Sequence, residues 1–108
     1  MASITGTLEH TNYGDNEERE LEAGTYSYDL TASGEGKLSF KVETRVLDEH
    51  GGGAHWETVE RKEKIRDGSF SGTFDAAATV GDQTLVRFNF NREFLGKAVD
   101  YQLDYVKA

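Results

Sequence analysis

The C-terminal stretch Val99-Asp100-Tyr101-Gln102-Leu103-Asp104-Tyr105-Val106 alternates apolar and polar residues without a break. Successive side chains of a β-strand point to opposite faces, so a period of two is typical of a half-buried strand. The apolar face of this strand carries Val99, Tyr101, Leu103 and Tyr105. The other face carries Asp100, Gln102 and Asp104. We therefore predict a strand with its aromatic residues in the core and its acids in water.

The same alternation recurs along the chain, and no stretch has convincing helical spacing. It predicts strands over residues 4–9, 17–21, 25–31, 37–47, 55–65, 69–76, 83–92 and 99–106. Turns rich in Gly, Asn and Asp separate them, including a tight hairpin-type turn at 33–36. Stretch 55–65 alternates poorly and is densely charged, which is typical of a bulged edge strand. About eight short strands predict an all-β antiparallel two-sheet β-sandwich or jelly roll, as a single domain over residues 1–108.

Composition narrows the function classes. The net charge of −8 argues against a general nucleic-acid binder, because an acidic surface repels phosphates. The absence of cysteine excludes disulfides, zinc–thiolate sites and cysteine nucleophiles. Neither a secretory signal nor an apolar run of membrane-helix length is visible. We expect a soluble chain, cytoplasmic or part of a virion or other assembly, without membrane insertion.

No motif indicates catalysis, a cofactor or a metal. His50 and His55 flank a glycine loop, but a zinc or nickel site needs three or four converging ligands, so a surface hairpin is the better interpretation. The acidic stretch 15–18 lacks the spacing of a calcium-binding EF-hand loop. Ser69 and Ser71 lie in a predicted strand without a nucleophile elbow. We therefore expect a protein that is not an enzyme.

Residues beside loops and on the charged edge are candidates for an interaction surface. Trp56 and Tyr13 can stack on sugar rings or anchor a protein interface, whereas the alternative is that Trp56 caps one end of the core. The charged edge strand can accept a partner strand. The candidate interaction residues are Tyr13, His50, His55, Trp56, Arg61, Lys62 and Lys64.

Four-fifths of the chain resembles a GOLD domain, the β-sandwich of certain cargo receptors, lipid-transfer proteins and Golgi adaptors. The resemblance begins with Gly24-Thr25-Tyr26-Ser27-Tyr28-Asp29-Leu30 and Gly36-Lys37-Leu38-Ser39-Phe40-Lys41-Val42. It continues with Gly81-Asp82-Gln83-Thr84-Leu85-Val86-Arg87-Phe88-Asn89-Phe90-Asn91 and Lys97-Ala98-Val99-Asp100-Tyr101. The resemblance implies a non-enzymatic protein-interaction module. The signal peptide, disulfide and membrane helix of the cargo-receptor branch have no counterpart in this sequence.

Three functional hypotheses follow. The first is an interaction or structural module that binds a protein partner through strand edges and loops. The second is a self-assembling or capsid-decorating structural protein, in which the chain can form a homo-oligomer. The third is a carbohydrate-binding module that uses Trp56 and Tyr13. A small jelly-roll hydrolase is the least supported alternative.

Overall fold

A computed structural model describes residues 1–9, 14–48, 52–78, 81–93 and 97–108, and it contains eight β-strands. They are β1 (Ala2–Leu8), β2 (Gly14–Glu22), β3 (Gly24–Gly34), β4 (Leu38–Leu47), β5 (Ala54–Ile65), β6 (Gly68–Ala76), β7 (Gln83–Arg92) and β8 (Val99–Lys107). Within the described ranges, no helix is long and apolar enough to cross a bilayer. The predicted all-β sandwich is confirmed.

The strands form two antiparallel sheets of four, in the orders β1-β8-β3-β6 and β2-β7-β4-β5. Of the described strands, only β4 and β5 follow each other in sequence and also pair, so every other connection crosses from one sheet to the other. The predicted hairpin at 33–36 is therefore wrong, because β3 and β4 belong to different sheets. Turn residues indicate where the chain reverses, but they do not indicate which sheet the next strand joins.

The core lies between the two sheets and consists of their inward side chains. Phe88, Phe90, Leu30 and Leu103 are fully buried, as the alternation in the sequence predicted. Aromatic rings from both sheets meet here, and Phe90 stacks on Tyr101 with a centroid distance of 4.0 Å. Such pairs stabilise a core beyond the area they bury.

Two buried tyrosines on the central strands of the sheet β1-β8-β3-β6 tie it to the two edge strands of the other sheet. The Tyr28 hydroxyl on β3 donates to Glu60 on β5 at 2.8 Å. The Tyr101 hydroxyl on β8 donates to Asp15 on β2 at 2.6 Å. Burial, together with the neighbouring carboxylate, raises the pKa of both phenols far above its ordinary value. Both hydroxyls therefore stay protonated as donors at neutral pH.

Strand β5 is an edge strand, and its pairing with β4 is irregular, as predicted. The register shifts between Leu38 and Phe40 and again between Val42 and Glu43. Lys64 lies at the first shift with φ of 54°, in the left-handed region. Bulges twist an edge and interrupt its row of unpaired backbone groups. This edge is thereby protected against the addition of a further strand.

Candidate functional site

A cluster of polar side chains with one tryptophan lies on the outward surface of the sheet β2-β7-β4-β5. Because side chains alternate along a strand, the residues between the core positions of β4 and β7 all point outward. We call the outward positions of these four strands the cluster face. Its central residues are Lys41 and Glu43 on β4, Trp56 on β5, and Arg87 and Asn89 on β7.

Glu43 is the centre of the cluster. Its Oε1 accepts hydrogen bonds from Arg87 Nε at 3.0 Å and from Asn89 Nδ2 at 2.5 Å. Arg87 Nη2 lies 3.0 Å from the same oxygen, and Lys41 Nζ lies 3.7 Å from Oε2. Register explains the convergence, since Glu43 and Arg87 are direct partners across β4 and β7. Charged donors give stronger hydrogen bonds than neutral ones, so this carboxylate is firmly held.

Trp56 covers part of this network. The guanidinium carbon of Arg87 lies 4.2 Å from the centroid of the indole ring, which is a cation–π contact. Glu43 is only 7% exposed although it points away from the core. A carboxylate with so little access to water requires the partners it has here, because an unpaired buried charge is strongly destabilising. The cluster therefore presents a fixed arrangement rather than a set of mobile side chains.

The cluster carries several groups that can bind a partner. It combines a half-buried indole with guanidinium, amide and ammonium donors around a neutralised carboxylate. It contains no serine, cysteine or histidine placed as a nucleophile or base. In the described part of the chain, no group of three His, Cys, Asp or Glu residues can hold a metal ion.

The structure gathers only some of the predicted interaction residues. Trp56 and Arg61 both lie on the cluster face, where Arg61 is the cross-strand backbone partner of Lys41. Lys62 pairs instead with the core residue Phe40, and it is half-buried on the other side of β5. Lys64 is exposed at the bulge.

Tyr13 and His50 were also predicted interaction residues, and Trp56 had the alternative role of a cap on the core. Tyr13 and His50 lie outside the described residues. The alternative in which Trp56 caps the core is wrong. Trp56 pairs with the outward Arg45 and stacks on Arg87, so its ring lies on the outer surface of the sheet.

Four members of the cluster were not among the predicted interaction residues, namely Lys41, Glu43, Arg87 and Asn89. Each lies at an outward position of β4 or β7, the two central strands of this sheet. The sequence contained one signal for them: the outward positions of these two long, regularly alternating strands are unusually polar. It became specific only once the strand order placed β4 and β7 side by side.

His55 forms a separate arrangement at the start of β5. Its Nδ1 lies 2.6 Å from Asp48 and its Nε2 lies 3.1 Å from Glu57. Asp48 also begins the β4–β5 connection, where its backbone N–H donates to the carbonyl of Gly53 at 2.9 Å. The imidazole is exposed, so its role is local: it links two carboxylates across the hairpin.

We expect the pKa of His55 to lie above its ordinary value of about 6.5. The hydrogen bond to Glu57 is the main cause, and the one to Asp48 adds to it. A raised pKa means that the ion pairs support the fold below pH 6.5 and that this support disappears as the pH rises through the raised pKa. An NMR titration of the ring protons measures the midpoint. Glu57→Gln and Asp48→Asn should each lower it, and an unchanged midpoint in both variants would contradict the assignment.

The outward surface of the other sheet, β1-β8-β3-β6, has a different composition. We call its outward positions the hydroxyl face, because serine and threonine dominate it. They are Ser3, Thr5, Thr7, Thr25, Ser27, Asp29, Thr31, Ser33, Ser69, Ser71, Thr73, Asp75, Asp100, Gln102, Asp104 and Val106. Hydroxyls donate to carboxylates across the strands, from Ser3 to Asp104 at 2.5 Å and from Thr7 to Asp100 at 2.5 Å.

Comparisons with known proteins support the fold. No family model matches the chain, and no curated protein sequence matches it. A mitogen from Yersinia pseudotuberculosis is similar in structure, with a TM-score of 0.63 and 15% identity over 99% of this chain and 85% of the mitogen. A structure of infectious bursal disease virus, Gx strain, has a TM-score of 0.51 and 7% identity over 98% of this chain and 29% of the viral chain.

A carbohydrate-binding module in complex with β-1,4-galactotriose is also similar, with a TM-score of 0.46 and 13% identity over 98% of this chain and 70% of that module. At these identities the likeness to the mitogen and to the viral chain concerns the fold, a jelly-roll sandwich, and not the function. The GOLD resemblance of the sequence stays a prediction.

Proposed function

We propose that this chain is a non-enzymatic protein-interaction module whose binding surface is the cluster face. The observation that carries the proposal is the Trp56–Arg87–Glu43 arrangement, which is fixed by hydrogen bonds yet lies on an outer surface. Tryptophan and arginine are the residue types that dominate binding energy at protein interfaces. A surface that is already ordered loses little conformational entropy when a partner docks.

The proposal places binding on the face of the sheet rather than on its edge. Partner-strand addition needs a regular row of free backbone groups. On β5 that row is interrupted by two register shifts and lined by charged side chains. A face-on partner instead meets Trp56 and the cationic side chains of Arg61 and Lys41. The GOLD resemblance adds to this proposal, since it implies the same class of function.

Affinity capture with matched variants tests the proposal. The chain is immobilised, exposed to an extract of its source, and the captured proteins are quantified by mass spectrometry. We expect Trp56→Ala and Arg87→Ala each to reduce capture of the specific partner by about 30-fold, which corresponds to about 2 kcal/mol at a hot spot. Arg66→Ala is the matched control, because Arg66 is exposed and lies outside the cluster face.

The three variants also need comparable unfolding temperatures, measured by circular dichroism, so that lost capture reflects the surface. A protein that is captured equally by the wild type, Arg87→Ala and Trp56→Ala would show that the cluster face is not the binding surface. The same conclusion follows if Arg66→Ala reduces capture as much as Arg87→Ala.

Carbohydrate binding is a second candidate, supported by one specific observation. The indole of Trp56 lies on an outer surface together with Asn89 and Arg87, and aromatic rings flanked by polar groups can stack on sugars. Trp56 is the single tryptophan of the chain, so intrinsic fluorescence reports on this site alone. A change in emission with one member of a glycan panel, abolished in Asn89→Ala, would favour this candidate. Unchanged emission across the panel would remove its support.

A further inference from the structure

The two broad surfaces of this protein differ in charge. The hydroxyl face carries Asp29, Asp75, Asp100 and Asp104, and none of the outward positions of its described strands is a lysine or arginine. The hydrogen bonds from Ser3 and Gln102 lower the pKa of Asp104, so this carboxylate stays ionised well below neutral pH. The surface is therefore uniformly anionic and built from short side chains.

The cluster face is cationic over three of its four strands. Lys41 and Arg45 on β4, Arg61 on β5 and Arg87 on β7 all point outward there. Lys41 and Arg87 neutralise Glu43, and Arg61 lies 3.7 Å from Glu63 on β5. The outward positions of these three strands still carry four cations against two acids. The acidic side chains of the cluster face are concentrated on β2, at its far edge.

We propose that the partner of the cluster face is the hydroxyl face of a second copy of this chain. This inference rests on the proposed function, because it assigns a partner to the same surface. Charge complementarity is the argument: the aspartates of the hydroxyl face meet the cationic strands β5, β4 and β7 of the neighbouring copy. Long, exposed side chains such as Arg45 and Arg61 then contact a surface of short hydroxyl and carboxylate groups. Arginine pairs well with carboxylates of this kind because its planar head can bind both oxygens.

The dimensions of the molecule allow such a contact. The Cα atoms span 44 × 30 × 17 Å, so each broad face exceeds the roughly 800 Å² per partner that a specific interface buries. The acidic edge strand β2 predicts an offset toward β5, which keeps Glu18 and Glu20 away from the neighbour's aspartates. Because the two contacting faces are different and lie on opposite sides, a pair of copies still has one free cluster face at one end and one free hydroxyl face at the other. The contact is heterologous, and it builds a stack rather than a closed dimer.

Sedimentation velocity across a concentration range tests the inference, at about 0.02 M and about 0.5 M salt, because screening weakens contacts between exposed charges. We expect species larger than the monomer at low salt and a shift toward monomer at high salt. A hydroxyl-face variant replaces Asp29, Asp100 and Asp104 by asparagine, which preserves the hydrogen-bond acceptors. A cluster-face variant combines Lys41→Gln with Arg61→Glu and leaves the pairing of Glu43 with Arg87 intact.

A head-to-tail contact makes a distinctive prediction for mixtures. Each variant alone lacks one of the two faces and should stay monomeric. Mixed in equal amounts, the two should form a 1:1 complex that does not grow further, because only one complementary pair of intact faces remains. Association of the hydroxyl-face variant alone would overturn the inference, and so would a wild type that is monomeric at every salt concentration.

The failure of this inference is distinguishable from the failure of the proposed function. A monomeric wild type that still captures a different protein, with loss of capture in Arg87→Ala, would overturn the stack and leave the cluster face as a binding surface. Equal capture by the wild type and Arg87→Ala would show that the cluster face is not a binding surface. Unfolding temperatures of both charge variants close to that of the wild type ensure that a lost contact is not a lost fold.

Discussion

We expect Phe88→Ala to lower the free energy of unfolding by about 3–5 kcal/mol, the range for removing a fully buried phenylalanine. The side chain of Phe88 is 0% exposed and lies in the centre of the sandwich, on strand β7. Its ring centroid lies 5.1 Å from that of Tyr105 and 5.8 Å from that of Phe74, both on the opposite sheet. Truncation removes contacts with two strands at once and leaves a cavity that close-packed neighbours fill only in part.

Chemical denaturation followed by circular dichroism measures this loss. Asn91→Ala is the matched control, because Asn91 is exposed on the outward side of the same strand, and we expect it to change stability by less than about 0.5 kcal/mol. Small domains have a total stability of about 5–15 kcal/mol, so this loss is a large fraction of the free energy of unfolding. A loss below about 1 kcal/mol would mean that Phe88 is not a core residue.

The fold could be predicted because one face of almost every strand is apolar. Strand β8 shows this most clearly, since Tyr101, Leu103 and Tyr105 alternate with polar residues and are all buried. Strand β2 shows the limit of the method. It was predicted over 17–21 but spans Gly14–Glu22, because its inward side chains include Asp15 and Glu17, which read as solvent-facing. Asp15 is tied to Tyr101 by a hydrogen bond that a pattern of hydrophobicity does not show.

The site was less accessible to sequence reasoning than the fold. Trp56 and Arg61 were identified because aromatic and charged residues near a loop are conspicuous. Glu43 and Arg87 are separated by a long stretch of chain and become neighbours only through the pairing of β4 with β7. Strand order in a sandwich with crossing connections is a property of the whole topology. No local pattern specifies it, so a cluster assembled across strands stays hidden in the sequence.

The crossing connections themselves lead to the second large effect. Gly36 lies between β3 and β4, at the point where the chain passes from one sheet to the other, and it is buried. Its backbone N–H donates to the carbonyl of Ala98 at 3.0 Å. A Cβ atom at this position would collide with the carbonyl oxygen of Lys97 and would lie 2.9 Å from that of Ala98. Both obstacles are backbone atoms, which cannot rotate away as a flexible side chain can.

We therefore expect Gly36→Ala to destabilise the fold by about 1–3 kcal/mol, the usual cost of overpacking a close contact. Relief requires that the start of β8 moves away from the β3–β4 connection, and β8 is a central strand that pairs with both β1 and β3. Gly52→Ala is the matched control, because Gly52 is exposed and the nearest atom to its added Cβ is 4.0 Å away. Denaturation midpoints of the two variants decide the matter. Equal midpoints would mean that Gly36, between β3 and β4, is not in contact with Lys97 and Ala98, which precede β8. A loss confined to Gly36→Ala would show that this contact holds β8 in register.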